Sequence, residues 1–183
     1  MKQKLSTRLI SMLLVIATLV SLLAVPASAA DTLNNSGSVK ITQDGFGNFL
    51  SKKSGGTIGG GYWQYTSNDG LTGAAYCVNW GLTGVSPNKS LTIQPYNRSP
   101  QTMGAFANGY PARTLEQFKQ LHQDDVRGIA NLTETEYKYA TQVAVWATCG
   151  QISVPGTTFT AGRTSVVEPT ADAQQIRIFD SVK

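Results

Sequence analysis

Two rhythms of apolar positions divide this chain. Val39 and Ile41 alternate with Lys40 and Thr42, the period-two pattern of a half-buried strand. Residues 62–65, 74–80 and 91–96 read as further strands, the one over 74–80 carrying Cys77, with a turn at Asn68-Asp69-Gly70. Asp44-Gly45 and Gly47-Asn48 punctuate the chain, and the glycine-rich stretch 54–61 reads as a hairpin or loop. A phosphate-cradling loop is excluded there, because the glycines lack the strand before, the helix after and the Gly-Lys-Ser/Thr ending.

The rhythm then lengthens to that of a helix. Thr114 with Gln117 three residues on is a capping-box pattern, and Leu115, Phe118 and Leu121 follow on one face. Thr133 and Glu136 repeat it and predict a helix over 134–148, ended by Gly150. Past the Pro155-Gly156 turn, residues 157–160, 165–167 and 176–179 read as β again. Strands, a largely helical insertion over about 91–150, and strands once more predict an α+β protein. Its β-rich lobe is sandwich- or barrel-like, with a helical subdomain inserted.

Lys2, Lys4 and Arg8 precede an apolar run over 9–25 and the exit Pro26-Ala27-Ser28-Ala29-Ala30, the parts of a secretory signal over residues 1–29. The run approaches spanning length, but Pro26 and the small residues favour cleavage. The expectation is an exported domain over 30–183 with no membrane partner. Cleavage also changes the charge, formally +4 for the whole chain. Without those three cations, twelve Lys and Arg face eleven Asp and Glu, and no basic cluster remains to bind nucleic acid. About 150 mature residues suffice for one domain with its own core, so Cys77 and Cys149 are not explained as staples for a small fold. One histidine and two distant cysteines fall short of a metal ligand set, and no cofactor is implied.

The candidate chemistry lies in Tyr76-Cys77-Val78-Asn79-Trp80 and Thr141-Gln142-Val143-Ala144-Val145-Trp146. A thiolate attacks carbonyl carbon and a carboxamide can lose ammonia, so a cysteine and a glutamine held together can condense to an internal thioester. On its helix Gln142 shares a face with Tyr139, Val145 and Trp146, where a buried amide must find partners. Singly, each residue has an ordinary reading: a hydrogen-bonded core glutamine and a small buried hydrophobe. Two further readings of Cys77 stay open. A disulfide to Cys149 would contribute roughly 4 kcal/mol and make a stapled extracellular module with reversible binding. A pairing with His122, the single histidine, would make a thiol-enzyme dyad. Cys149 lies roughly 10 Å beyond Gln142 along the helix, so Cys77 can meet only one of the two.

Thr141, Gln142, Ala144 and Trp146 match the Thr-Gln-x-Ala-x-Trp helix motif of the thioester domains of Gram-positive surface adhesins and pilus-tip proteins. Tyr76-Cys77-Val78 is similar to that family's aromatic-Cys-hydrophobic motif, and Gly109-Tyr110-Pro111 to a tripeptide common between the two. The chain resembles the family from about residue 62 to residue 150. The resemblance implies that Cys77 supplies the sulfur and Gln142 the acyl carbon of an autocatalytic thioester. It implies a lysine amine on a host cell-surface or extracellular-matrix protein as partner, captured once by an isopeptide bond rather than turned over as an enzyme would. It also implies a secreted, surface-displayed module of a longer protein, anchored through other parts. Tyr76, Trp80, Tyr139 and Trp146 are candidates to shield the bond from water, with Thr141 in support. Cys149 falls outside the family pattern.

Overall fold

Residues 38–81, 90–92, 99–122, 128–157 and 165–183 are described in the computed structural model, and all fall in one packing unit. The long strands β1 (Ser38–Ser51) and β2 (Thr57–Ser67) form an antiparallel hairpin. Its turn runs through Gly55 and Gly56, whose φ of 89° and 73° favour residues without a Cβ. β3 (Thr72–Ala75) extends the sheet beside β2, and β4 (Ser90–Thr92) beside β1, in the order β3-β2-β1-β4. The β-rich lobe is this one curled antiparallel sheet, joined to helices in an α+β fold.

The expected breaks at Asp44-Gly45 and Gly47-Asn48 are not turns. β1 passes through both as irregularities, with register shifts between Gln43 and Gly45 and between Gly47 and Leu50. Such bulges bend a strand while keeping it in the sheet. Gly47 also lies where a helix comes close, since a Cβ there would sit 2.5 Å from the Tyr139 ring.

The helices among the described residues are α1 (Pro100–Asn108), α2 (Leu115–Leu121), α3 (Glu134–Thr148) and α4 (Ala173–Val182), with a 3-10 turn at Ile129–Asn131 before α3. Both expected capping boxes are formed, Thr114 with Gln117 and Thr133 with Glu136. α3 has the expected bounds, and Gly150, at φ 67°, turns the chain away from its end. On one side it packs Tyr139, Val143 and Trp146 into the cluster that holds Leu50 and Ile58 of the hairpin. The same cluster takes in Leu115 and Phe118 of α2 and Ile178 and Phe179 of α4.

Three expectations need correction. The strand over 74–80 stops at Ala75, so Cys77 lies in the loop after β3. Its backbone N–H and C=O are taken by a side chain of α3, which leaves them unavailable to a neighbouring strand. Residues 176–179 are helical, not β. Ile176, Arg177 and Ile178 imitate strand alternation, but the Asp172 side chain caps the Gln175 N–H and Ile178, Phe179 and Val182 turn inward at helical spacing. Residues 165–167 contribute only isolated bridges, Val166 to Ser153 and Val167 to Lys52. Residues 1–29, 93–96 and 158–160, read above as signal and strand segments, lie outside the described residues. No described helix is long and apolar enough to cross a membrane.

Candidate functional site

The site is built on α3. Its capping box fixes one end, and its middle is tied to the sheet by Tyr139, whose hydroxyl donates to the Ile58 carbonyl at 2.6 Å and accepts from the Leu50 N–H. That tie holds the next turn, where Gln142 has no exposure to solvent. A carboxamide buried so completely is costly unless both its ends are hydrogen-bonded. Both are, to one residue: the Cys77 N–H donates to Gln142 Oε1 at 2.9 Å, and Gln142 Nε2 donates to the Cys77 carbonyl at 2.8 Å. The glutamine thus takes the place that a neighbouring strand would have taken beside Cys77.

The loop carrying Cys77 is pinned separately. The Tyr76 hydroxyl donates to the Tyr110 carbonyl, and the Tyr110 N–H donates to Thr141 Oγ1 at 3.1 Å. Thr141 in turn donates to the Tyr137 carbonyl one turn back at 2.9 Å. The Tyr76 ring packs on Phe106 of α1, 5.8 Å between centroids. Burial, helped by the nearby Tyr110, Tyr137 and Asp44, pushes the Tyr76 phenol well above its ordinary range, so it stays a donor. Tyr110 precedes Pro111 through a cis bond. Gly109 packs flat on Thr141, where a Cβ would collide with the threonine methyl and stand 2.8 Å from the Ala105 carbonyl. Through these contacts Thr141, Tyr76 and the Gly109-Tyr110 pair together fix Cys77 relative to the residue next to Gln142.

The arrangement is suited to acyl chemistry. The Cys77 N–H points at the oxygen on which negative charge would develop if a thiolate added to the Gln142 carbonyl carbon. The Cys77 carbonyl holds the nitrogen that would leave. The thiol is half-buried and donates to the Asn79 carbonyl at 3.3 Å.

The other expected site residues are placed as follows. Trp146 is buried with its ring against Gly60 of β2, and its indole N–H has no hydrogen-bond partner among the described residues. Trp80 is half-buried against the core, with Lys52 Nζ 5.6 Å from its ring centre. Tyr139 is fully buried and meets Phe49 edge-on at 5.2 Å. Cys149 is the C-cap of α3, and its sulfur lies 3.6 Å from Thr102 Oγ1; it and Cys77 are both free thiols. The His122 ring packs on the Phe118 ring at 4.6 Å, on α2, while the Cys77 thiol is directed at Asn79. Sequence reasoning passed over Lys138, one turn before Gln142, and Asp44, to which it is paired at 2.8 Å. The four-residue spacing of Lys138 from Gln142 was the available signal.

The Cys77 backbone cradles the buried Gln142 amide, which brings a cysteine and a glutamine together across the fold. Residues 74–176 match the thioester-domain family, which covers more than half of the chain and includes both residues. The chain belongs to that family, which makes it a thioester-containing domain. No curated protein matches it, and no solved structure does.

Proposed function

We propose that Cys77 and Gln142 are the two halves of this domain's thioester and that it captures an amine on a partner protein. The observation that carries the reading is the double hydrogen bond by which Cys77 seats the Gln142 carboxamide. In forming the bond, Cys77 Sγ adds to Gln142 Cδ, the C–N bond breaks, and the thiol proton leaves with the amide nitrogen as ammonia. Held geometry supplies the effective concentration that an ordinary amide lacks toward a thiol. In capture, an amine nitrogen adds to the same carbon, the C–S bond breaks, and the amine's proton passes to sulfur. What remains is an amide to the partner and a free Cys77.

The motif resemblance and the signal-like residues 1–29 support a place for the reaction: outside a Gram-positive cell, as a displayed adhesive module. The amine is then a lysine on a host surface or matrix protein. Each domain reacts once.

Intact mass under non-reducing conditions tests the reading. The freshly purified domain is expected one ammonia below its calculated mass, and methylamine should add to it. Cys77→Ala should show its full calculated mass and no addition. A wild-type domain at full mass with an alkylatable Cys77 would sink the proposal, and a deficit of two hydrogens would restore the Cys77–Cys149 disulfide.

A further inference from the structure

Lys138 stands one helical turn before Gln142, and the capture reaction has no use for it. Side chains four apart on a helix start about 5–6 Å from each other. A lysine at the first position and a glutamine acyl group at the second are within reach of a single amide bridge. If Cys77 and Gln142 form the thioester proposed above, on which this inference rests, the domain carries its own amine beside its own acylating group. An internal nucleophile so placed competes at an effective concentration no outside amine approaches. Left unrestrained, it would consume the thioester within the protein itself.

It is restrained from several sides. Lys138 Nζ donates to Asp44 Oδ2 at 2.8 Å. Asp44 is the residue skipped in the β1–β2 register, where Gln43 pairs with Trp63 and Gly45 with Tyr62. The bulge aims a carboxylate at the helix. The ammonium also lies 4.6 Å from the Tyr110 ring centre and 5.8 Å from that of Tyr62, while Glu134 of its own helix stands 4.0 Å away. The lysine and aspartate side chains are 15% and 25% exposed. Burial by itself would favour loss of the lysine proton. The Asp44 hydrogen bond, with Tyr110 and Glu134, outweighs it and holds the ammonium above the ordinary lysine range. A protonated amine has no lone pair with which to attack.

We propose that the Asp44–Lys138 pair is a guard: it keeps the domain's own lysine protonated and drawn toward β1, so that the acyl group of Gln142 is kept for an amine from outside. The reaction it prevents is an acyl transfer within α3. Neutral Nζ adds to Gln142 Cδ, the C–S bond breaks, the Nζ proton passes to the thiolate, and a Lys138–Gln142 amide and a free Cys77 result. That product is an isomer of the thioester, so intact mass alone does not separate the two.

The test follows methylamine uptake, Cys77 alkylation and fragment masses in wild type, Asp44→Asn, Asp44→Ala and the double variant Asp44→Asn/Lys138→Arg. At about pH 9 the two Asp44 variants should lose methylamine reactivity about tenfold faster than wild type for each unit by which the lysine pKa falls. They should remain one ammonia short, expose an alkylatable thiol, and yield a Lys138–Gln142 cross-linked peptide. Arginine at 138 in the double variant should return the lifetime to that of wild type. Loss at the wild-type rate in both Asp44 variants, or loss by gain of water without the cross-link, would overturn the proposal. So would a Lys138→Met variant that forms the thioester but takes up methylamine more slowly, because the lysine would then take part in capture. Wild type without an ammonia deficit removes the thioester reading itself, and the guard with it.

Discussion

Thr141 uses one oxygen twice, accepting from the Tyr110 N–H and donating to the Tyr137 carbonyl, while its methyl lies against Gly109. Thr141→Val keeps the shape and removes the oxygen. It should cost about 1–3 kcal/mol, because the Tyr110 N–H loses its acceptor, and it should slow the loss of ammonia that marks thioester formation. Thr141→Ser should restore most of both, read by chemical denaturation and by a mass time course; equal rates in all three proteins would separate Thr141 from the chemistry. Trp146 belongs to a different argument. Truncation to Ala in so buried a position should cost about 3–5 kcal/mol and open a path for water to the acyl carbon. A folded Trp146→Ala domain whose thioester lasts as long as that of wild type would show that the ring is core and not shield.

At the scale of elements, α3 and α4 are joined through a cap. Glu136 accepts from the Thr133 N–H as part of the capping box, and its buried carboxylate also takes a bond from Gln174 and two from Arg177 at 3.0 and 2.6 Å. Burial works against the charge, but Arg177, the Thr133 N–H and Gln174 outweigh it and hold the carboxyl below the usual glutamate range. A carboxyl depressed by folding contributes its stability above its unfolded value of about 4.3 and loses it as pH falls through the lower folded value. Arg177→Ala should therefore cost about 2–3 kcal/mol at neutral pH, below the full range for buried pairs because the guanidinium is one-fifth exposed. Below about pH 4 the cost should shrink, and urea unfolding of both proteins across that range measures it. A cost independent of pH would mean that Arg177 acts by packing.

Which elements were legible follows from where their causes lie. α3 carries its own signals at both ends, a Thr-Glu box and a glycine, so local pattern was enough. α1 is held by the Ser99 cap and by packing on α3, and its Pro-Gln-Thr-Met-Gly-Ala-Phe-Ala-Asn sequence shows no clear apolar face. The end of β3 is set by a glutamine 65 residues later, which no local reading of residues 74–80 reveals. Chemistry and motif single out Cys77 and Gln142, and the fold brings them together; that the cysteine backbone seats the glutamine amide is not readable from the sequence. The glycines of β1 and β2 did carry a readable signal, since a strand glycine often marks close approach of another element. Gly47 and Gly60 lie under Tyr139 and Trp146.

At the scale of the molecule, the proposed bond joins positions 65 residues apart and encloses α1 and α2 in a covalent ring. Closing such a ring restricts the unfolded chain by about 4 kcal/mol on the chain-entropy estimate used for disulfides. Methylamine, which opens it, should lower the melting temperature by roughly 10 °C in a domain of this size. Calorimetry before and after treatment checks this, with Cys77→Ala expected to melt like the opened form. Identical melting would mean the cross-link leaves the unfolded ensemble unrestricted.

The ring also decides how the domain answers a pull. Tension along the backbone would bypass every residue between Cys77 and Gln142, shortening the released length by roughly 220 Å at full extension. Capture breaks the ring and moves the point of attachment onto α3 itself, so a load carried from Gln142 toward a C-terminal anchor does not pass through residues 77–141. An unreacted domain is then shortened by its ring when pulled from both ends, whereas in a reacted one the new amide bears the force from the outset and the opened segment carries none of it.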